Sequence, residues 1–203
     1  DSSGKTSTNG ESEEANNKQY KLETNGVLTS TTDINWTQIK NDVEKIYTLI
    51  YPMTIDLYQT KTNQEDIVNF NKEFDSLTKS AKEENKENYL LELAKLYDYL
   101  PKFIENCTND QSKNVVIKTK DNIFKAYSIL DKEDWNKISS NINDASQEFT
   151  KLITNVNQNE SVNHYNVNKA YVIINELQNA INLKDKEVFL IKYKNLLEEL
   201  ENI

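Results

Sequence analysis

From Val27 to Ile203 the chain contains no glycine and only two prolines, while apolar residues recur every three or four positions along nearly all of that length. Tight β-hairpin turns draw on residues that tolerate positive φ, glycine above all, so a chain without it is poorly suited to many short strands. A spacing of three and four matches the 3.6-residue turn of an α-helix and puts the apolar side chains on one face. Alternation of period two is not sustained beyond short pieces such as VVIK. Long amphipathic helices are therefore the expected building blocks.

Their limits follow from capping residues and from breaks in the pattern. Asp33 is the expected N-cap of a first helix with Trp36, Ile39, Val43, Ile46, Ile50, Met53 and Leu57 inward, and Pro52 predicts a kink or a break near Tyr51. Asn63 caps a second helix carrying Ile67, Phe70, Phe74, Leu77 and Ala81. A third face runs from Tyr89 to Ile104, is interrupted by Pro101 and stops between Cys107 and Asp110. Val115 to Leu130 form the next face, and Asp131 marks a cap or tight turn. Trp135 to Val156 make a further helix, and Val167 to Ile181 another; Asp185 caps the last, with Phe189, Tyr193, Leu196 and Leu200 on its seam.

Three stretches, 64–105, 113–156 and 162–202, share one plan of two helices joined by a charged turn. Bundle geometry accounts for that plan, and the similar turns ENKENY, LDKEDW and LKDKEVF leave tandem repetition open. The expected fold is all-α: an antiparallel bundle of five to seven amphipathic helices, forming one domain over 31–203. It follows a disordered tether at 1–30, where Ser, Thr, Asn, Gly and Glu leave too little apolar surface to offset the entropy of ordering.

Charge narrows the partners. All 24 basic residues are lysines, interspersed among 33 acidic ones for a net charge of −9. Nucleic acid is not an expected partner, because phosphate recognition needs clustered positive charge. No apolar run approaches the length of a bilayer span. The abundance of Asn, Lys, Ile and Tyr beside scarce Arg, Gly and Pro points to an A/T-rich genome, so the 11 tyrosines carry little functional meaning by themselves.

Chemistry-bearing patterns are sparse. His164 and Met53, the only residues of their kinds, are the candidate cofactor ligands, since a His and a Met from different helices can hold a haem in a four-helix protein. Near a helix start and beside a proline they are more simply read as capping and core residues. No cofactor is expected. No Glu-x-x-His motif is present, Glu160 standing four before His164, so no carboxylate-bridged metal site is expected either. Cys107 lacks a second Cys and a neighbouring His, and reads as a buried or half-buried structural thiol. With one His, no Gly-x-Ser-x-Gly and no glycine-rich loop, no catalytic residue is assigned. Trp36 and Trp135 each open a helix, where an indole can staple the helix start into the core.

NWTQIKNDVEKIYTLIYPMTIDLY near the start of the helical region, LAKLYDYLP at 93–101 and the closing NKAYVIINELQNAINLKDKEVFLIKYKNLLEEL resemble a group of small predicted lipoproteins from clostridia and related low-GC Gram-positive bacteria. The resemblance implies no activity. It implies a place outside the cytoplasmic membrane, with an N-terminal lipid as the sole membrane attachment. A polar leader starting at Asp1 without Met agrees with a removed signal peptide and a lipidated Cys just before it. The sequence thus points to a non-catalytic binding or scaffold module for a protein or another envelope component, with a ligand-binding bundle for haem, metal or a small molecule as the alternative.

Overall fold

An asparagine or aspartate opens each of the seven α-helices among the residues described by the computed structural model, 26–29, 33–156 and 163–203. The helices are α1 (Trp36–Tyr58), α2 (Gln64–Lys82), α3 (Lys86–Cys107), α4 (Gln111–Ser128), α5 (Trp135–Val156), α6 (His164–Leu183) and α7 (Lys186–Glu201). Side-chain oxygens of Asn35, Asn63, Asn85, Asp110, Asp134, Asn163 and Asp185 accept backbone N–H groups two or three residues on, at 2.8 to 3.1 Å in their shortest contacts. Each such cap satisfies an amide that the helix itself leaves unpaired and is worth about 1 kcal/mol. Gly26–Thr29 form an isolated turn, Thr29 N–H donating to the Gly26 carbonyl at 3.3 Å, and the rest of the leader at 1–30 lies outside the described residues.

The fold is all-α, as the periodicity predicts, with three local departures. The cap of α1 is Asn35, while Asp33 lies exposed outside the helix. Pro52 does not break α1, which continues to Tyr58. Pro52 and Thr48 are both exposed, so the Thr48 carbonyl that loses its helical donor is open to water. Pro101 is likewise carried inside an unbroken α3. Asp131 falls in a tight turn as its position predicts, the 3-10 turn Leu130–Lys132, and the cap of α5 follows three residues later at Asp134.

Consecutive helices pack as antiparallel neighbours, and α4 also touches α7. The turns after α2, α4 and α6 share one backbone device. Glu84, Glu133 and Lys184 stand at φ of 53°, 54° and 53°, and each is followed at once by the Asx cap of the next helix. After α2, Glu84 N–H donates to Ala81 and Asn85 N–H to Ser80, at 3.1 and 3.0 Å; after α6, Lys184 donates to Ile181 and Asp185 to Ala180, at 2.9 and 3.3 Å. This is the Schellman closure of a helix, made without the glycine that usually occupies its left-handed position.

The buried faces follow the same register. Ile67, Phe70, Phe74, Leu77, Ser80 and Ala81 of α2 correspond, 100 positions on, to Val167, Ala170, Ile174, Leu177, Ala180 and Ile181 of α6, and all twelve are buried. The N-caps Asn63 and Asn163 keep that spacing too. Counted from Glu133, the hairpin of α4 and α5 places Ile123, Ala126, Leu130, Ile138, Ile142, Ala145 and Phe149 at the equivalent buried positions. The three charged turns are thus the corners of hairpins with similar apolar registers, although Tyr89, Leu93 and Leu100 of α3 are only half-buried.

Two apolar cores result. Val43, Ile50 and Leu57 of α1 join Ile67, Phe70, Phe74 and Leu77 of α2 and Leu96 and Phe103 of α3. The second core is built by α4 to α7 around Ile123, Ile138, Ile142, Phe149, Ile174, Leu177, Phe189 and Leu196, with Leu91 of α3 packed against it. Trp36 meets Tyr89 edge to face at 5.9 Å beside the first core, and Trp135 packs on the second.

Candidate functional site

Sequence-predicted candidates do not assemble into a site. Met53 packs against the first core, whereas His164 is the exposed first residue of α6, a helix of the second core. The inward face of α6 begins only at Val167, and Asn163 is the residue that caps the helix. Glu160 is outside the described residues. Cys107 ends α3 exposed to solvent, not buried, because the inward face of α3 is already turned away there, with Phe103 the last buried residue of the helix. Among the described residues no three His, Cys, Asp or Glu side chains cluster as a metal site would require.

What the structure does bring together is a charged seam between α3 and α4. Lys118, Lys125 and Lys132 recur every seven residues and meet Glu105, Asp98 and Glu87 of α3, the last pair at 2.9 Å. At the turns, Lys40 pairs with Glu84 at 2.7 Å, Lys86 with Asp131 at 2.6 Å and Lys186 with Glu133 at 3.4 Å. These pairs tie each hairpin to its neighbour, though each is exposed enough to be worth only about 0–1 kcal/mol.

Asp121 is the exception within this seam, because it is buried. Its Oδ2 lies 3.3 Å from Lys125 Nζ, and its Oδ1 is buried without a hydrogen-bond partner. Burial pushes its carboxyl up to about 6, Lys125 opposes the change, and the like charge of Asp98 adds to it. The neighbouring Tyr97 hydroxyl is raised as well, by burial first and by Asp121 second. Beside this group an aromatic file crosses three helices: Tyr97 stacks on Phe124 at 5.6 Å, Phe124 touches Tyr127, and Tyr127 stacks on Tyr193 of α7 at 4.7 Å. Asp121 could have been noticed in the sequence as an acid among inward positions four residues before a lysine. The partner on α3 could not.

Two surface features complete the inventory. Along α1, Tyr51, Ile55 and Tyr58 fall at i, i+4 and i+7, on one flank, and are 64%, 60% and 46% exposed. This helix packs chiefly on α2, so one side has no neighbour among the described residues. In the middle of the helix order, a cleft of about 380 Å³ lies between the end of α3, the first three turns of α4 and Ile203. Ile104, Val116, Ile117 and Ile203 line it together with Lys113 and Lys120, and among the described residues neither lysine forms an ion pair. Asp110 and Ser112 stand at its rim, the Asp110 carboxylate accepting the N–H groups of Ser112 and Lys113 at 3.0 and 3.4 Å.

No described helix is long and apolar enough to cross a membrane. Comparison of the chain with protein-family models, with curated proteins and with solved structures finds no match in any of the three.

Proposed function

We propose that this chain is a non-catalytic binding or scaffold module of the bacterial cell envelope, held at the membrane by an N-terminal lipid. The observation that carries the binding role is the exposed flank of α1. Three large side chains, two of them tyrosines, share one helical face at the end of the stack. An aromatic-rich apolar patch of this kind is the usual anchor of a protein contact, because tyrosine combines large apolar area with low side-chain entropy. The envelope location is supported by the polar composition of the leader and by the lipoprotein resemblance. Ligand sets for nucleophilic or acid–base catalysis find no support in the placement of His164, Cys107 or the half-buried carboxylates.

A photoreactive residue at position 55 in the producing cell tests the binding role. A discrete adduct is expected, lost when Tyr51 and Tyr58 are both changed to Ser and not formed from position 72 on α2. Equal adducts from both positions, or none from position 55, would overturn it. For the anchor, incorporation of labelled palmitate into the full-length precursor is expected, and its absence would remove the envelope reading.

A further inference from the structure

We propose that the cleft between α3 and α4 binds an anionic amphiphile, a single apolar chain ending in a carboxylate or phosphate. Its floor is aliphatic, from Ile104, Val116, Ile117 and Ile203, and a volume of about 380 Å³ is within the range of small-molecule sites. An apolar chain lying there removes water from four aliphatic side chains at once. Such burial contributes about 25 cal/mol for each Å² covered.

The polar groups decide the charge of the ligand. Lys113 and Lys120 lie seven residues apart on α4, about 10 Å along its axis, and flank Val116 and Ile117 on the same side. Two flexible lysine arms from such positions can converge on one headgroup. Lys118 and Lys125 of the same helix are spent on Glu105, Asp98 and Asp121, whereas Lys113 and Lys120 meet no carboxylate side chain among the described residues. The one acidic side chain lining the cleft, Asp110, is turned onto the amides of Ser112 and Lys113 as the helix cap. In a chain of net charge −9, two unpaired cations beside an aliphatic floor form a local reversal of sign. A neutral or cationic amphiphile would match the floor and forgo the lysines.

Calorimetric titration of the intact chain with decanoate, decyl phosphate, decyl maltoside and inorganic phosphate, each below its micelle concentration, tests this site. Saturable binding of one decanoate or one decyl phosphate per chain is expected, and the stronger of the two identifies the headgroup. Affinity should fall about tenfold or more in the double variant Lys113→Gln, Lys120→Gln, which alters lysine head groups at the cleft and leaves the core untouched. The control Lys45→Gln, Lys72→Gln should bind as the parent does. Failure of both decyl anions to saturate overturns the proposal. So does equal affinity for decyl maltoside, equal affinity of inorganic phosphate and decyl phosphate, or undiminished binding by the Lys113/Lys120 variant.

Discussion

Tyr127 and Tyr193 lie almost parallel, 9° apart, with their ring centroids 4.7 Å from each other. The stack joins α4 to α7, two helices of the second core that are not consecutive, and Tyr193 is only 7% exposed. Burial comes first among the causes that raise its hydroxyl well above the ordinary tyrosine range, followed by Tyr127 and Tyr97. The ring, more than the hydroxyl, is the stabilising part. Tyr193→Ala should therefore lower the unfolding free energy by about 3–5 kcal/mol, the cost of removing a buried aromatic, while Tyr193→Phe should change it by less than about 1 kcal/mol. Urea titrations followed by circular dichroism read both.

Asp121 supplies a pH dependence of definite sign. Its folded value, about 6, lies above the ordinary 3.8, so the protonated form is favoured in the folded chain. Stability from this group is fully present below pH 3.8 and is lost as pH rises through about 6. Asp121→Asn keeps the shape without the charge. Relative to the parent it should be more stable at pH 8, with the advantage shrinking steadily as pH falls towards 4. Melting temperatures of the two chains across that range check this, and parallel curves would mean that Asp121 titrates as an exposed acid does.

The left-handed residues offer a stabilising change. A non-glycine residue in this conformation costs about 1–2 kcal/mol, part of which glycine recovers after its own larger unfolded-state entropy is counted. Lys184 is the suitable site, since Glu84 and Glu133 also hold Lys40 and Lys186. Lys184→Gly should stabilise the chain by about 0.5–1 kcal/mol. Asp185→Ala, one residue later, should destabilise it by about 1 kcal/mol through loss of the cap on Glu187 and Val188. Thermal melts of the two variants should move in opposite directions.

Each core carries its own tryptophan. With Trp135→Phe, the fluorescence of Trp36 reports the first core, and with Trp36→Phe that of Trp135 reports the second. Leu77→Ala opens a cavity in the first core worth about 2–5 kcal/mol. Stability in stacked hairpins propagates through neighbouring interfaces, and the boundary between the cores here is made of exposed ion pairs, the Tyr97–Phe124 stack and Leu91. The Trp36 transition should therefore move to lower urea by more than the Trp135 transition does. Coincident shifts would show that Leu91 and the seam lock the two cores into one cooperative unit.

Cys107 should react fully with a maleimide in the native chain, without denaturant, because its side chain is exposed at the end of α3. Mass spectrometry after a brief exposure reads the modification directly.

Helix by helix, the elements were legible because their signals are local. An Asx cap acts on amides two or three residues away, and an inward face such as Ile67, Phe70, Phe74, Leu77 is a property of one segment. The structure departs from the pattern where two local signals compete, as Asp33 against Asn35, or where local steric cost is overridden, as at Pro52 and Pro101. The exposure of Cys107 has a different reason: burial at a helix end depends on which neighbour covers it, and periodicity does not carry that information.

Sequence alone determined that this chain is helical, where most helices begin and which side of each is apolar, because backbone sterics, capping and the 3.6-residue period act within a few residues. Tertiary structure decided the rest. It divided one run of amphipathic helices into two cores, set Lys118 and Lys125 against Glu105 and Asp98, buried Asp121 among them, and left Lys113 and Lys120 unpaired beside an aliphatic cleft. Those outcomes depend on which faces meet across distant segments. An isolated helix carries the residues of a seam or a cleft, and only the packed neighbour turns them into one.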